Sequence, residues 1–302
     1  MSQIADILRE IRAKLPDLPI LEREPMRDHT SFRIGGPCDG MILPRTVAEL
    51  REVLLLLRTL GVRPIILGAG TNVLAPDEGI SGIVLVTKNL TAIRQTGDTV
   101  LTACCGATMS RLSNAAQELG LTGLEFAQGI PGTVGGGVFM NAGAYDGEIK
   151  NVAVQTVFLT MDGELRTFTG EEQGFRYRGS AFQALDGVIV ETQFRLQPGD
   201  RVAIRAKMQD FAQRRRSKQP LELPSAGSTF KRPEGHFAGA LIQEAGLKGF
   251  RVGGAAVSEK HAGFVVNLGD ATAKDVRTLI ETVQQRVYEK TGVTLEPEVR
   301  LL

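Results

Sequence analysis

Apolar and polar residues follow helical periods in some segments and short extended runs in others, which predicts a mixture of helices and strands. Thr46-Val47-Ala48-Glu49 has the form of a capping box, because the Thr46 and Glu49 side chains can each accept the other's free backbone N–H. We therefore expect a helix over about 47–60, followed by a short buried strand from Pro64 to Leu67. Later segments alternate likewise, with strands near 73–74, 83–86, 100–103, 152–159, 165–168 and 188–196, and a helix from Thr108 or Ser110 through Leu119.

The pattern changes around Pro198-Gly199-Asp200, which we take as a domain boundary. The next segment predicts a helix that carries Met208 and Phe211 and ends in a basic run at 214–218. Beyond it we expect a helix near 237–245, a strand over 263–268 and a long helix over about 273–290. The chain thus predicts an α+β fold in two domains, in agreement with 302 residues at roughly 150 residues per domain.

Charge and apolar content exclude several classes of protein. The 35 Lys and Arg residues balance 34 Asp and Glu residues, so no overall field attracts nucleic acid. The longest aliphatic run, Val53 to Leu57, is too short to cross a bilayer, and the first residues predict an amphipathic helix rather than a signal peptide. Three cysteines, Cys38, Cys104 and Cys105, offer no disulfide framework. We expect a cytoplasmic protein in which the adjacent Cys104 and Cys105 are small packed residues.

Glycine is the unusual component, with 35 glycines against 13 prolines, and it concentrates at 68–72 and 129–137. The chain has no Gly-Lys dipeptide, which excludes a Walker A loop. Val73 stands where a dinucleotide fingerprint has its third glycine, so a Rossmann site is disfavoured. G-x-S-x-G and H-E-x-x-H are missing and the three histidines are far apart, so we predict no metal site.

Two glycine loops in one α+β region have a physical use nevertheless. Glycine reaches left-handed backbone angles and lets a ligand approach main-chain N–H groups, which can form an anion-binding nest. The loops at 68–72 and 129–137, with amides from Asn72 and Asn141, would suit a long ligand with a central pyrophosphate. Tight turns without any ligand explain the same glycines, and composition alone does not decide between the two.

Seven ordered motifs resemble the UDP-N-acetylenolpyruvoylglucosamine reductase family: His29-Thr-Ser-Phe-Arg-Ile-Gly-Gly36, Leu67-Gly-Ala-Gly-Thr-Asn72, Gly129-Ile-Pro-Gly-Thr-Val-Gly-Gly136 with Asn141-Ala-Gly-Ala-Tyr145, Tyr177-Arg178-x-Ser180, Pro224-Ser-Ala-Gly-Ser-Thr-Phe-Lys231, Lys260-His-Ala-Gly-Phe264 and Leu295-Glu-Pro-Glu-Val-Arg300. The resemblance runs from about residue 27 to the C-terminus. Each motif is weak alone, and together in this order they are very specific.

The resemblance implies an FAD-binding domain of the vanillyl-alcohol-oxidase (PCMH) type over 1–199, in two subdomains split near 88–98. A substrate-binding α+β domain would cover 200–302, with residues near 296–302 returning toward the flavin. NADPH would reduce non-covalently bound FAD, which would pass hydride to the enolpyruvyl methylene carbon of UDP-N-acetylenolpyruvoylglucosamine to give UDP-N-acetylmuramate for peptidoglycan. No membrane insertion and no obligate protein partner are expected. The implied cofactor contacts are Gly68, Ala69, Gly70, Thr71, Asn72, Gly129, Gly132, Thr133, Gly135, Gly136 and Asn141.

By the same resemblance, three residues act on the substrate. Ser228 would donate a proton to the carbon next to the methylene, while Arg178 and Glu298 would stabilise developing charge and polarise the carboxylate. A fixed guanidinium suits an enolate-like carboxylate, and a hydroxyl can donate if its surroundings tolerate the conjugate base. From spacing alone these residues would be an ordinary turn serine and two ordinary ion-pair partners.

The implied substrate contacts are Tyr177, Lys218, Lys231, Arg232 and His261, with Lys218 near the diphosphate. The alternative explanation of Lys218 is one more charge on a solvated basic helix end, and that of His261 is a packing histidine. The longer branch of the family often has Asn in place of Arg232 and a polar residue at Gly179. That branch also inserts a tyrosine-bearing lid after the Tyr-Arg-x-Ser motif, for which the short segment from Ser180 to Val188 has no room. The chain therefore resembles the shorter, lidless branch.

Two other functions remain at this point. The first is an FAD-dependent sugar or hydroxy-acid oxidase of the same fold, although the motifs from 224 to 300 would have no reason to occur in one. The second is a non-catalytic nucleotide-binding or regulatory protein, against which the presence of Ser228, Arg178 and Glu298 argues.

Overall fold

The structure, a computed structural model, describes residues 3–302 and confirms the α+β class. The first two residues of the predicted N-terminal helix lie outside the described residues. The helices are α1 Gln3–Lys14, α2 Val47–Thr59, α3 Met109–Glu118, α4 Val134–Phe139, α5 Arg201–Lys218, α6 Ala238–Glu244 and α7 Ala273–Thr291. The strands are β1 Ile20–Pro25, β2 Pro37–Ile42, β3 Ile65–Leu67, β4 Val73–Leu74, β5 Ile80–Val86, β6 Ile93–Gly97, β7 Val100–Cys104, β8 Leu121–Thr122, β9 Gly143–Ala144, β10 Gly147–Glu148, β11 Ala153–Thr160, β12 Leu165–Thr169, β13 Gly187–Arg195, β14 Gln197–Pro198, β15 Arg251–Val252, β16 Ala255–Val257, β17 Val265–Asn267 and β18 Arg300–Leu301.

The chain forms two compact units, each built from separate stretches of sequence. Among the described residues, the first unit contains those up to 22 together with 39–69 and 82–214, and the second contains 23–38, 70–81 and 215–302. The last division falls inside α5, between Arg214 and Arg215, rather than at 199/200. The predicted domain boundaries at 199/200 and near 88–98 stay predictions, since compactness alone does not define a functional domain.

The first unit is built on two sheets and one apolar core. A five-stranded antiparallel sheet has the order β12-β11-β13-β7-β6, and a four-stranded sheet has the order β1-β2-β5-β3 with β3 and β5 parallel. The amphipathic face of α2 buries Leu50, Leu54 and Leu57 in this core, and α3 adds Leu112. Burying each such side chain contributes roughly 1.5 to 3 kcal/mol, so both helices are fixed to the sheets by packing.

The second unit packs helices against a small sheet. Strands β15, β16 and β17 form an antiparallel sheet in that order, and α7 buries Val276, Leu279 and Val283 in a separate apolar core. Strand β18, near the C-terminus, pairs in parallel with β4, so that Arg300 lies opposite Val73. This pairing brings the last motif of the chain beside the end of the first glycine loop.

Helix ends follow the local sequence. Thr46 caps α2 by accepting the Glu49 N–H, but the reciprocal bond of the predicted capping box is replaced, because Glu49 accepts the Arg45 N–H instead. Thr272 and Asp275 form a complete capping box at α7, and Gly292 ends that helix at φ 73°. No helix among residues 3–302 is both long enough and apolar enough to span a bilayer.

Candidate active site

The first predicted cofactor loop, 68–72, joins β3 to β4. Gly70 has φ 64°, and a Cβ at this position would lie 2.0 Å from the carbonyl oxygen of His29. Ser31 also holds its segment close to the loop, because the Ser31 N–H donates to the Gly70 carbonyl at 3.0 Å. The backbone packing of the second unit therefore requires glycine at position 70, whatever the loop binds.

The second predicted cofactor loop, 129–137, is held by its main chain. Met109 N–H donates to the Gly132 carbonyl, and the N–H groups of Val134 and Gly135 donate to Ala107 and Cys105. The Gly129 N–H donates to the Ser110 hydroxyl at 3.1 Å. Several N–H groups expected to form an anion nest are thus already used inside the first unit.

Two side-chain oxygens, one in this loop and one on the residue just before it, are buried without a hydrogen-bond partner among residues 3–302. Thr133 is 3% exposed and stands at the N-cap of α4, yet its Oγ1 neither caps the helix nor meets any hydrogen-bonding group among residues 3–302. Gln128 Oε1 is in the same condition. A buried polar group without a partner costs about 1 to 3 kcal/mol. Sequence analysis missed Gln128, and no motif distinguishes it.

The two loops meet at Thr133, and the glycines around it differ in their surroundings. A Cβ on Gly68 would lie 2.6 Å from Thr133 Oγ1, and one on Gly135 would lie 2.8 Å from Cys105 Cβ. A Cβ on Gly136 would have Thr133 Oγ1 as its nearest neighbour at 3.7 Å, which is ordinary contact. The fold therefore needs glycine at 68 and 135 but leaves space beside Gly136. That space and the orphaned oxygens fit a bound cofactor with hydrogen-bonding groups.

Asn141 has a structural task in the first unit. It is fully buried at φ 44°, and its amide donates to Glu148 Oε2 at 2.7 Å and to the Arg176 carbonyl at 3.0 Å. Its Oδ1 accepts the Lys150 N–H at 2.9 Å. These bonds join the β9–β10 hairpin to the turn that carries Arg178. The contact between Asn141 and the cofactor stays a prediction.

Arg178 stands at the tip of a tight turn. Arg176 and Gly179 exchange two backbone hydrogen bonds of 2.9 and 3.0 Å, which leaves Tyr177 and Arg178 at the tip. Arg178 has φ 53°, a strain of about 1 to 2 kcal/mol for a residue with a side chain. Its Nη2 donates to the Gly143 carbonyl at 3.4 Å, and its guanidinium lies 5.0 Å from the centre of the Tyr177 ring. A strained turn that presents a half-buried guanidinium suits anion recognition.

Ser228 and Glu298 lie on neighbouring backbones in the second unit. The Glu298 N–H donates to the Thr229 carbonyl at 2.8 Å, and the Lys231 N–H donates to the Glu296 carbonyl at 2.8 Å. Between these bonds, Phe230 and Pro297 form an antiparallel bridge. Two motifs about 70 residues apart in sequence are thereby joined. Ser228 is exposed and Glu298 is half-buried.

The end of the first glycine loop contacts the Glu298 segment, and Ser31, which bonds to that loop, contacts the Ser228 segment. Asn72 Nδ2 donates to the Glu298 carbonyl at 3.2 Å, and the Arg300 N–H donates to the Asn72 carbonyl at 3.0 Å. Ser31 Oγ donates to the Ser225 carbonyl at 2.6 Å. Residues predicted for cofactor binding and for catalysis thus share one hydrogen-bonded network within the second unit.

The predicted substrate contacts are distributed over both units. In the second unit, Lys231 forms an ion pair with Glu296, and the guanidinium of Arg232 lies 4.0 Å from the centre of the exposed Phe237 ring. Lys218 is exposed at the end of α5, and Tyr177, in the first unit, is 50% exposed. Lys231 and Arg232 follow Ser228 closely, whereas the structure describes Arg178 and Tyr177 only within the other unit.

His261 lies in surroundings that favour the neutral form of its ring. Burial lowers its pKa, and the charge of Lys248 adds to this effect. Its Nδ1 accepts the Gly263 N–H at 3.1 Å, so the neutral ring carries its proton on Nε2. The ring also packs edge-on against Phe264. His261 therefore has a packing role, while its contact with substrate stays a prediction.

Comparison with known proteins gives one family over the whole chain. Residues 38–169 match the model of an FAD binding domain, and residues 219–302 match that of the UDP-N-acetylenolpyruvoylglucosamine reductase C-terminal domain. A UDP-N-acetylenolpyruvoylglucosamine reductase from Syntrophomonas wolfei is 47% identical over 302 residues, covering 100% of this chain and 98% of the relative. One from Geobacillus kaustophilus is 48% identical over 283 residues, covering 94% and 93%. The crystal structure of the UDP-N-acetylenolpyruvylglucosamine reductase from Thermus caldophilus is similar with a TM-score of 0.79 and 33% identity, covering 94% of this chain and 98% of that one.

Proposed function

The chain belongs to the UDP-N-acetylenolpyruvoylglucosamine reductase family, and we propose that Ser228, Arg178 and Glu298 are the residues that act on its substrate. The chain is an FAD-containing oxidoreductase of peptidoglycan precursor synthesis, the UDP-N-acetylmuramate dehydrogenase. Its substrate is UDP-N-acetylenolpyruvoylglucosamine. We further propose NADPH as the reductant and the cytoplasm as the site of the reaction.

The second glycine loop and the start of the first would hold the cofactor. Thr133 Oγ1 and Gln128 Oε1 supply polar atoms that lack a protein partner, and Gly136 supplies the space beside them. Gly68 lets the first loop approach Thr133 closely. The chemistry that FAD supplies when bound is hydride transfer to the enolpyruvyl methylene carbon, which leaves the adjacent carbon to be protonated.

Ser228 would hold that proton at its Oγ. Its neighbour Gly227 has φ 76° with no atom near the position of a Cβ, so glycine is needed there for the backbone angle alone. The turn leaves the Ser228 side chain exposed rather than packed. A positioned proton donor contributes typically 10² to 10⁴ in rate.

Arg178 and Glu298 would act on the charge of the enolpyruvyl carboxylate. The planar guanidinium can donate two parallel N–H bonds to a carboxylate, and its bond to the Gly143 carbonyl limits its position. Glu298 has its N–H bonded to the Thr229 carbonyl at 2.8 Å, which limits where its side chain can lie. The antiparallel pairing of the Ser228 and Glu298 segments is the single observation that carries the proposal, because it brings two distant motifs into one arrangement.

The cationic side chains near Ser228 would bind the substrate's diphosphate. Lys231 and Arg232 lie on the Ser228 segment, and Lys218 is the exposed end of α5 in the same unit. Tyr177 and the Nε2–H of His261 would provide further polar contacts. Lys231 must give up its ion pair with Glu296 in order to contact a phosphate. The loss of that pair reduces what Lys231 contributes to the free energy of substrate binding.

Separate half-reactions test the assignment of Ser228. Ser228→Ala should leave reduction of the bound flavin by NADPH nearly intact and slow its reoxidation by UDP-N-acetylenolpyruvoylglucosamine roughly 10³-fold. Stopped-flow absorbance of the flavin measures both rates. Ser225→Ala, in the same loop, is the control and should resemble wild type. Equal slowing of both half-reactions by Ser228→Ala would show that Ser228 is not the proton donor.

Steady-state measurements test the overall activity. Purified protein should be yellow and should oxidise NADPH only when UDP-N-acetylenolpyruvoylglucosamine is added. Turnover with oxygen and a sugar alone would indicate an oxidase instead. A colourless protein that gains no flavin absorbance on addition of FAD would indicate a non-catalytic protein.

A further inference from the structure

We infer that Asn72, at the end of the first glycine loop, is a positioning residue for Glu298. The inference rests on the proposed role of Glu298. Asn72 Nδ2 lies 3.2 Å from the Glu298 carbonyl oxygen. A carbonyl oxygen can only accept, so the amide nitrogen of Asn72 must be the group that faces it.

The Glu298 residue is held from two sides. Its N–H donates to the Thr229 carbonyl at 2.8 Å, and its carbonyl accepts from Asn72. Thr229 follows Ser228 directly in the chain, and the Thr229 N–H donates to the Gly263 carbonyl at 2.8 Å. The bond to Thr229 sets the distance between the two segments, and the bond from Asn72 fixes the orientation of the Glu298 carbonyl. Without Asn72 the Glu298 carbonyl loses this donor, while the bond from the Glu298 N–H to Thr229 remains.

The side chain of Asn72 is separable from the fold around it. The pairing of β4 with β18 uses main-chain groups, including the Asn72 carbonyl that accepts the Arg300 N–H at 3.0 Å. Those groups remain when the side chain is replaced. Removing the amide therefore releases the Glu298 carbonyl without removing the strand pair that brings the two segments together.

The consequence for catalysis follows from the reaction. Glu298 acts while charge develops on the substrate, so its placement affects reoxidation of the flavin and not reduction of the flavin by NADPH. A misplacement of about 1 Å can cost on the order of 10²-fold in rate. Asn72 thus positions the Glu298 carboxylate, which acts on the substrate, whereas the sequence motif alone predicts that Asn72 contacts the cofactor.

Two variants test the inference in the FAD-loaded enzyme. Asn72→Ala removes the amide, and Asn72→Asp keeps its size but places an acceptor against the Glu298 carbonyl. With flavin reduced by dithionite, both should slow reoxidation by UDP-N-acetylenolpyruvoylglucosamine about 10- to 100-fold. The Kd for FAD, the rate of flavin reduction by NADPH and the KM for substrate should each stay within about twofold. Asn89→Ala is the matched control, because Asn89 Nδ2 donates to the Leu43 carbonyl in the first unit at 3.4 Å.

A double-mutant cycle connects Asn72 to Glu298. If Asn72 acts through Glu298, Asn72→Ala should change reoxidation less than about twofold in a Glu298→Gln background. Independent, multiplicative effects overturn the inference and leave the role of Glu298 intact. A weakened Kd for FAD or slower reduction in Asn72→Ala also overturns it, and shows a cofactor contact instead. If Glu298→Gln alone reoxidises like wild type, the proposed role of Glu298 is wrong and the inference falls with it.

Discussion

The two glycine-rich loops have similar compositions but different reasons for their glycines. In the first loop, Gly70 is accounted for within the second unit by its φ of 64° and by the His29 carbonyl oxygen, which would lie 2.0 Å from a Cβ at this position. In the second loop, Gly135 is likewise crowded by Cys105, but Gly136 has open space. Beside that space lies Thr133 Oγ1, buried and without a partner among the described residues.

The difference separates what the fold requires from what a ligand requires. A glycine fixed by backbone contact is needed even in a protein that binds nothing. A buried hydroxyl without a partner lowers stability, so it indicates a ligand group that is absent from the chain itself. The second loop is therefore better support for cofactor binding than the first, although the sequence motifs of both are glycine-rich.

Gly70→Ala should give the largest effect. The new Cβ would meet the His29 carbonyl at 2.0 Å in a left-handed backbone, and relief of that clash would move main chain. We expect a loss of about 3 kcal/mol or more in the free energy of unfolding, measured by denaturant titration of the FAD-free protein. Gly246→Ala, with φ 74° and open space, is the control and should lose only about 1 kcal/mol. Equal losses would show that the contact with His29 is unimportant.

Thr133→Val should have opposite effects on stability and on cofactor affinity. It removes an orphaned hydroxyl at nearly constant volume, so the FAD-free protein should melt at the same temperature or higher. Affinity for FAD should fall about 10-fold, the equivalent of one lost hydrogen bond of about 1.4 kcal/mol. Thermal melts and flavin fluorescence titration measure the two quantities.

Thr156→Val is the matched control for Thr133→Val. Thr156 is fully buried in the same unit, but its hydroxyl donates to Gln173 Oε1 at 2.8 Å. Its replacement should destabilise the protein by about 1 to 3 kcal/mol and leave affinity for FAD unchanged. An unchanged FAD affinity in Thr133→Val would remove the main difference between the two loops.

The elements that sequence predicts well are those with strong local signals. Helices α2, α3 and α7 begin at Thr46, Thr108 and Thr272, whose side chains cap them, and their apolar faces match the observed cores. The predicted strands over 64–67, 100–103 and 152–159 are also confirmed, within a residue or two at their ends. In these segments, periodicity and tertiary packing favour the same structure.

The parts that sequence misses depend on contacts between distant segments. Helix α4 contains three glycines in six residues, a composition that disfavours helix, and it forms because its N-terminal N–H groups bond to Ala107 and Cys105. Nothing local shows that Gln128 Oε1 is buried without a partner, or that the Asn72 amide faces Glu298. Motifs could identify Ser228 and Glu298 as candidates, but only the fold shows that their backbones pair.

Gly136→Ala tests the open space in the second loop. Alanine favours helix over glycine by up to about 1 kcal/mol, and the new methyl meets no crowded atom, so the FAD-free protein should keep or gain stability. FAD affinity should fall several-fold, because the methyl occupies the space we assign to the cofactor. Gly135→Ala is the neighbouring control and should lose stability through its 2.8 Å contact with Cys105 Cβ. Unchanged FAD affinity in Gly136→Ala would place the cofactor elsewhere.

The smallest expected effect concerns Cys105, which lies beneath the second loop. Its carbonyl accepts the Gly135 N–H at 2.8 Å, and burial raises the pKa of its thiol to about 12. At pH 8 the reactive thiolate would then be on the order of 10⁻⁴ of the total. Iodoacetamide should therefore leave Cys105 unmodified for hours, with or without FAD, as mapped by mass spectrometry in a Cys104→Ala background. If Cys105 is modified without FAD and protected when FAD is bound, the second loop opens when its cofactor is missing. In that case the fold alone fixes the conformation of only the first loop.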